Sequence, residues 1–390
     1  MVLEKKGNYF PEEKKDNEMI TKLIMLSWNI LGIKLNIMDV KQLFYEAKRM
    51  CSSQVGVSDA LLWAKDFKFQ LDISRRDTDG LEKHQGDLTA YILSLHEKDK
   101  KERLSLERVE KLVPHTDPDY DALCRLVKGI PIFTTPSFKP NNGMVNGKVM
   151  KLRKKHLMMP SVINKLVYEL YKGGKVVILP TELCKRNRTT HYSALSWTTK
   201  FGKPQGRLIG DTSATESGTP LNSYEVKEMF DKNFGNIHHP TIVDIARMVF
   251  TEAERIGWEN AILWKVDLKG AFTLLYVLPE DVPLLSFELT NNLTVMHHTG
   301  MFGYTGMPGC FDVISRVLCR NIQELIHGKC EIYVDDIISV SHRLTMEEDL
   351  KTTTDYCEGL LGPVAVEKEK TVVGRSVDVI GWNICLDSKK

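Results

Sequence analysis

The chain has 390 residues and a net charge of +2, with 42% hydrophobic and 27% charged positions. That is ordinary globular composition, which excludes a collagenous, coiled-coil or largely disordered chain and suggests two or three domains with enough core to fold unaided. The charged start MVLEKKGNYFPEEKKDNE does not suit a signal peptide, and no apolar run approaches the ~20 residues of a spanning helix, so an intracellular protein with no membrane partner is expected. The eight cysteines (51, 124, 184, 310, 319, 330, 357, 385) form no CxxC pair, which argues for reduced thiols over a zinc ribbon or a disulfide framework.

In chain order, residues 1–138 read as helix: Ile20, Leu23, Ile24 and Leu31, then Val40, Leu43, Phe44 and Ala47, then Ala60–Ala64, Leu88–Leu95 and Leu104–Leu112. They are electrically neutral and show no cluster of catalytic residue types, so a helical N-terminal accessory region is expected. Residues 129–150 are rich in Gly, Pro and Asn and mark a loop or boundary. Residues 139–207 then carry fifteen Lys and Arg against only Glu169 and Glu182. Aromatic residues (Tyr168, Tyr171, Tyr192, Trp197, Phe201) and the run Val176–Leu179 lie inside this basic block, so it is a folded surface suited to a polyanion backbone. Helical patterning resumes over 222–260, broken at His238-His239-Pro240. The segment 139–260 is thus expected to be one basic region and 261–390 another, acidic one.

Ala261–Val266 reads as an apolar strand ending in Asp267. A Gly/Pro-rich stretch, 303–309, precedes a helical stripe through Phe311, Ile314, Leu318, Ile322 and Leu325. Glu331–Val334 and Ile337–Val340 flank Asp335-Asp336, the pattern of a hairpin with carboxylates at its turn. Alone, an acidic pair is more often just a turn. Adjacent carboxylates resist ionisation unless a cation neutralises them, and hard oxygen ligands suit Mg²⁺. The His pairs 238–239 and 297–298 have neither i,i+4 spacing nor neighbouring Cys, and read as structural.

The ordered set of segments resembles the reverse transcriptases of retroelements. Asp267-Leu268-Lys269-Gly270-Ala271-Phe272 is similar to their first palm motif, Met301–Phe311 to their second, and Tyr333-Val334-Asp335-Asp336 to the Tyr-x-Asp-Asp motif. Lys370 stands where the family often has a fourth-motif lysine, and Ile380-Gly381-Trp382-Asn383-Ile384 resembles the primer-gripping hairpin. The Gly-Trp pair and Leu360-Leu361-Gly362-Pro363 resemble retrotransposons that integrate through tyrosine recombinases. Lys203–Asp211 resembles the fingers motif Gly-Lys-x-Arg-x-x-x-Asp with imperfect spacing, which fixes Arg207 better than Lys203. Gly270 departs from the acidic residue many relatives carry there. The resemblance covers about residues 170–386.

The resemblance implies an α+β right-hand polymerase, with a palm over 261–390, basic fingers over 139–260 and the helical N-terminal extension. It implies RNA-directed DNA polymerisation, with Asp267 and Asp335 binding two Mg²⁺ ions (Mn²⁺ can substitute) and Asp336 supporting them. Arg207 and Lys203 would hold the dNTP triphosphate, Phe272 would lie under its sugar, and Phe302 and Gly303 would shape the pocket. Lys370 would act on the leaving pyrophosphate, while Tyr333, Gly381 and Trp382 would meet the primer. A template-primer duplex of RNA or DNA is the implied partner. A thumb and an RNase H domain do not fit in Cys385–Lys390 and are expected from downstream domains or a partner subunit. The alternatives are an RNA-dependent RNA polymerase, against which Phe272 argues, and a non-catalytic nucleic-acid-binding remnant.

Overall fold

The structure, a computed structural model, describes residues 72–145, 148–149, 160–200, 203–215, 218–289 and 292–387. The helical patterns expected over 20–47 and 60–64 lie outside the described residues, as do Lys151, Arg153, Lys154 and Lys155. Four helices come first: α1 (residues 72–83), α2 (Leu88–Lys98), α3 (Leu106–Leu112) and α4 (Tyr120–Lys128). The short pair β1 (Met144–Val145) and β2 (Lys148–Val149) follows, then α5 (Pro160–Lys172), β3 (Val176–Pro180) and α6 (Thr181–Cys184). The hairpin β4 (Ala194–Lys200) and β5 (Lys203–Asp211) leads to α7 (Tyr224–Phe234) and α8 (Ile242–Ile256). Strands β6 (Ala261–Asp267), β7 (Ser286–Glu288) and β8 (Leu293–His297) precede α9 (Gly306–Leu325). Strands β9 (Lys329–Tyr333) and β10 (Asp336–His342), α10 (Met346–Leu361) and the strands β11 (Val372–Gly374), β12 (Ser376–Val379) and β13 (Trp382–Cys385) complete it.

The expected mixed α and β content is therefore present. Among the described residues no helix is long and apolar enough to cross a membrane.

Strand β6 lies at the centre of an antiparallel sheet ordered β11-β6-β10-β9. Successive residues of a strand face opposite sides, and here both sides are covered. Trp264, Val266, Ile332 and Ile337 enter the larger core with Ile314 and Leu318 of α9 and Cys357 and Leu360 of α10. Ala261, Leu263, Ile338 and Val340 enter a second core with Ile245, Val249 and Ala253 of α8 and Val377 and Val379 of β12. Lys265 and Asp267 share the parity of Ala261 and Leu263. They prolong this second face past the point where apolar cover ends. Burying such a two-sided sheet contributes about 25 cal/mol per Å² of apolar area.

Two local rules decide the flanking helices. Helix α8 starts in a capping box, in which Thr241 accepts from the Asp244 N–H and Asp244 accepts from that of Thr241. Helix α9 starts at Gly306, inside the Gly/Pro-rich stretch expected to precede it. Pro308 sits in its first turn, where its missing N–H would lack an intrahelical partner anyway.

Strand β3 pairs with β8, and β8 with β7, so strands from both sides of residue 260 build one sheet. The N-terminal helices join the same core through Ile73, Ile92, Val109 and Leu123. Arg316 and Arg320 of α9 reach Asp119 at 2.8 and 2.7 Å.

Candidate active site

The register of the central sheet brings the three acidic residues together. Asp336 is the direct antiparallel partner of Asp267 across β6 and β10, and of Tyr333 across β9 and β10. Val334 and Asp335 form the turn between Tyr333 and Asp336. Val334 sits at φ +55°, a left-handed conformation that a β-branched residue enters only under strain. The turn is held from both sides: Ser315 Oγ of α9 donates to the Val334 carbonyl at 2.8 Å, and the Leu268 N–H donates to the Asp335 carbonyl at 2.8 Å. Asp335 thereby stands beside the end of β6.

Burial, then the Asp336 and Asp267 carboxylates, push the Asp335 carboxyl above its usual range, while Arg207 pulls it back. The outer two carboxylates are paired with lysines. Lys370 Nζ lies 2.8 Å from Asp267 Oδ1 and also pairs with Glu367. Burial opposes the Lys370 charge, but these two carboxylates outweigh it and raise its pKa. Lys265 Nζ lies 3.1 Å from Asp336 Oδ2.

A crowded set of carboxylates, one of them destabilised by the other two, is chemically suited to a hard divalent cation. Among the described residues, no group of three or more His, Cys, Asp or Glu side chains is already arranged around a metal position. A cation would have to compete with Lys370 and Lys265 for Asp267 and Asp336.

Beside the carboxylates lies an aromatic wall. The Phe272 and Phe302 rings are 5.1 Å apart, and Phe272 meets Phe311 edge-on at 6.0 Å. The Arg207 guanidinium lies 4.7 Å from the centre of the Phe302 ring. The β4–β5 hairpin brings Arg207 there because Gly210 and Gly303 let two backbones touch. The Gly210 N–H donates to the Phe302 carbonyl at 3.1 Å. A Cβ at Gly303, which sits at φ +117°, would meet the Gly210 oxygen at 1.8 Å. Thr212 Oγ1 and Asn222 Nδ2 donate to the Gly303 carbonyl at 2.7 and 2.8 Å. Lys203 begins β5 opposite Lys200, eight residues along the hairpin from Asp211.

Tyr333 ends β9 with its ring 5.3 Å from that of His239, whose Nδ1 is 3.2 Å from Asp312. The β12–β13 hairpin turns at Ile380 and Gly381, both in the left-handed region, and Trp382 is 65% exposed beside the turn. The hairpin borders a cleft lined by Lys265, Asp267, Lys370, Ser376 and Asn383. His297 and His298 are buried, and burial pushes both imidazoles down, His297 to about 4.

The structure thus groups Asp267, Asp335, Asp336, Lys370, Arg207, Phe272, Phe302 and Gly303, with Tyr333 paired to Asp336, while Gly381 and Trp382 lie at the turn of the β12–β13 hairpin and are not among the residues lining the cleft. Reasoning from sequence missed Lys265, Glu367 and Ser315. Lys265 alone left a signal, an ionisable residue two before Asp267 in an otherwise apolar strand.

No family model and no curated protein matches the chain. Among solved structures, it is similar to the foamy viral protease-reverse transcriptase in complex with RNA/DNA hybrid, at 12% identity and a TM-score of 0.42, over 72% of this chain and 35% of that one. It is also similar to the foamy viral protease-reverse transcriptase dRH in complex with ds DNA, at 14% identity and a TM-score of 0.41, over 72% of this chain and 46% of that one. The chain thus spans between a third and a half of those structures. A likeness this distant leaves the function to the site's own chemistry.

Proposed function

We propose that the chain is an RNA-directed DNA polymerase of a retroelement. The central sheet with α8, α9 and α10 serves as its palm, and the basic β4–β5 hairpin as part of its fingers. The observation that carries this reading is the meeting of Asp267, Asp335 and Asp336 at one sheet end, beside Arg207 and the Phe272–Phe302 wall.

Asp267 and Asp335 would hold two Mg²⁺ ions, for which Mn²⁺ can substitute, with Asp336 in support. When bound, the metals would activate the primer 3′-hydroxyl and offset charge on the phosphates. The chain's own groups do the rest. Arg207 holds the triphosphate of a dNTP through charge-assisted hydrogen bonds, with Lys203 adding charge. Phe272 underlies the deoxyribose, where a 2′-hydroxyl would meet its ring. Lys370, already charged beside Asp267, supplies a proton or positive charge to the leaving pyrophosphate. Tyr333, Gly381 and Trp382 position the primer end, and the basic block follows the duplex phosphates.

Primer extension on an RNA template with dNTPs and Mg²⁺ tests the reading. Extension that Asp267→Asn or Asp335→Asn abolishes supports it. Absence of extension by the parent chain refutes it.

A further inference from the structure

The turn that joins Asp267 to Phe272 is strained. Gly270 lies at φ +78° and Ala271 at φ +28°. A non-glycine residue there persists only if its surroundings hold it. Behind the turn, the Phe272 carbonyl faces Gly300 so closely that a Cβ at that glycine would lie 2.3 Å from it.

The next carbonyl, that of Thr273, accepts from two cationic side chains. Arg103 Nη1 and Lys175 Nζ each donate to it at 2.9 Å. Neither residue belongs to the site described above. Arg103 precedes α3 in the N-terminal region, and Lys175 precedes β3. Arg103 is only 6% exposed. Its second amino group donates to the Gly174 carbonyl at 3.1 Å, and its guanidinium lies 4.5 Å from the centre of the Tyr276 ring. Tyr276 in turn stacks on His96 at 3.8 Å. Two positive groups on one buried carbonyl repel each other. Burial first, then the Arg103 charge, push Lys175 down to about 7. An amine that has lost its charge still donates, so the geometry survives its titration. The hydrogen bond from the charged Arg103 guanidinium is the stronger of the two and opposes the strain of the turn.

We propose that Arg103 and Lys175 are positioning residues for Phe272: by fixing the Thr273 carbonyl they fix the aromatic one residue before it, and so set how strongly the enzyme rejects ribonucleotides. This rests on the reading of Phe272 as the residue under the sugar. It gives the N-terminal region a role in nucleotide selection, at a distance from the reacting atoms.

The test compares dNTP and NTP incorporation efficiencies, split into KM and kcat, for the full chain and four variants: Arg103→Met, Arg103→Lys, Lys175→Met and Phe272→Ala. Ile245→Ala, a truncation in the second core rather than the one around the turn, controls for lost stability. Circular dichroism sets a temperature at which all are folded. Arg103→Met is expected to cut the dNTP/NTP ratio by about tenfold or more, mainly through a lower KM for NTPs, as a misplaced aromatic would. Arg103→Lys should restore part of the ratio, and Ile245→Ala should leave it unchanged. If Phe272→Ala shifts the ratio but Arg103→Met and Lys175→Met stay within about twofold of the parent, the clamp is refuted and the sugar-contacting role of Phe272 stands. If Phe272→Ala does not shift it, both fall. Should Arg103→Met not fold, Arg103→Lys and Lys175→Met decide, and unchanged ratios in both overturn the proposal.

Discussion

Asp335 is held where its own charge is unwelcome, with burial and two neighbouring carboxylates opposing ionisation. A residue kept against its stability serves another end, so function and stability should separate here. Its folded pKa is raised, so the folded state binds more protons than the unfolded one above the ordinary Asp range, and this site loses stability as pH rises through that window. At neutral pH, Asp335→Asn should therefore raise the thermal midpoint while abolishing extension; a lowered midpoint would show that the carboxylate is structural. Lys175 works in the opposite sense. Its pKa falls to about 7 from 10.5 through burial and the Arg103 charge, against Asp99, with Lys269 adding to the depression. Between those values the unfolded chain binds more protons, so stability from this site rises with pH from about 7 upward. Urea titrations at stepped pH should show that rise in the parent and its loss in Lys175→Met. The acidic motif was legible because neighbours in sequence carry it. Ser315, Arg103 and Lys175 were not, because what they touch lies elsewhere in the chain; Arg103 and Thr273 stand 170 residues apart.

At the scale of elements, apolar runs and helical spacing gave β6, β10 and the α7–α8 pair close to their observed limits. Alternation also places Lys265, Asp267 and Asp336 on the face covered by α8 and the β12–β13 hairpin. What could not be read was how the β4–β5 hairpin docks, since that depends on two glycines far apart in sequence. Gly303→Ala tests the docking. Its Cβ would meet the Gly210 carbonyl, a backbone atom that cannot swing aside, at φ +117°. The left-handed backbone alone costs roughly 1–3 kcal/mol. The variant should lose thermal stability and raise the KM for dNTP more than it lowers duplex affinity. Steady-state kinetics with filter binding would check this, and an unchanged KM would detach Arg207 from the nucleotide site. The start of α9 at Gly306 misled the eye because Gly and Pro usually punctuate, yet the first turn of a helix tolerates both.

Over the whole molecule, charge is segregated: fifteen Lys and Arg in 139–207 face only two acidic residues, while the acidic motif lies in 261–390. Duplex binding should therefore weaken steeply with salt, each neutralised phosphate contributing roughly −0.9 to the slope of log K against log salt. Neutralising Lys151, Arg153, Lys154 and Lys155 together should flatten that slope; an unchanged slope would free this cluster from any nucleic-acid role. The described N-terminal helices share the main core and reach α9 through Asp119, so damage there should register at the site. The central claim is that the carboxylates at the end of β6 and β10 perform nucleotidyl transfer. The measurement that tests it most directly is single-nucleotide primer extension on an RNA template with Mg²⁺, comparing the parent with Asp335→Asn, while duplex affinity is followed in parallel. Extension with dNTPs by the parent, a loss of several orders of magnitude in the variant and unchanged duplex affinity are the predicted result; comparable extension by both, or none by the parent, would contradict it.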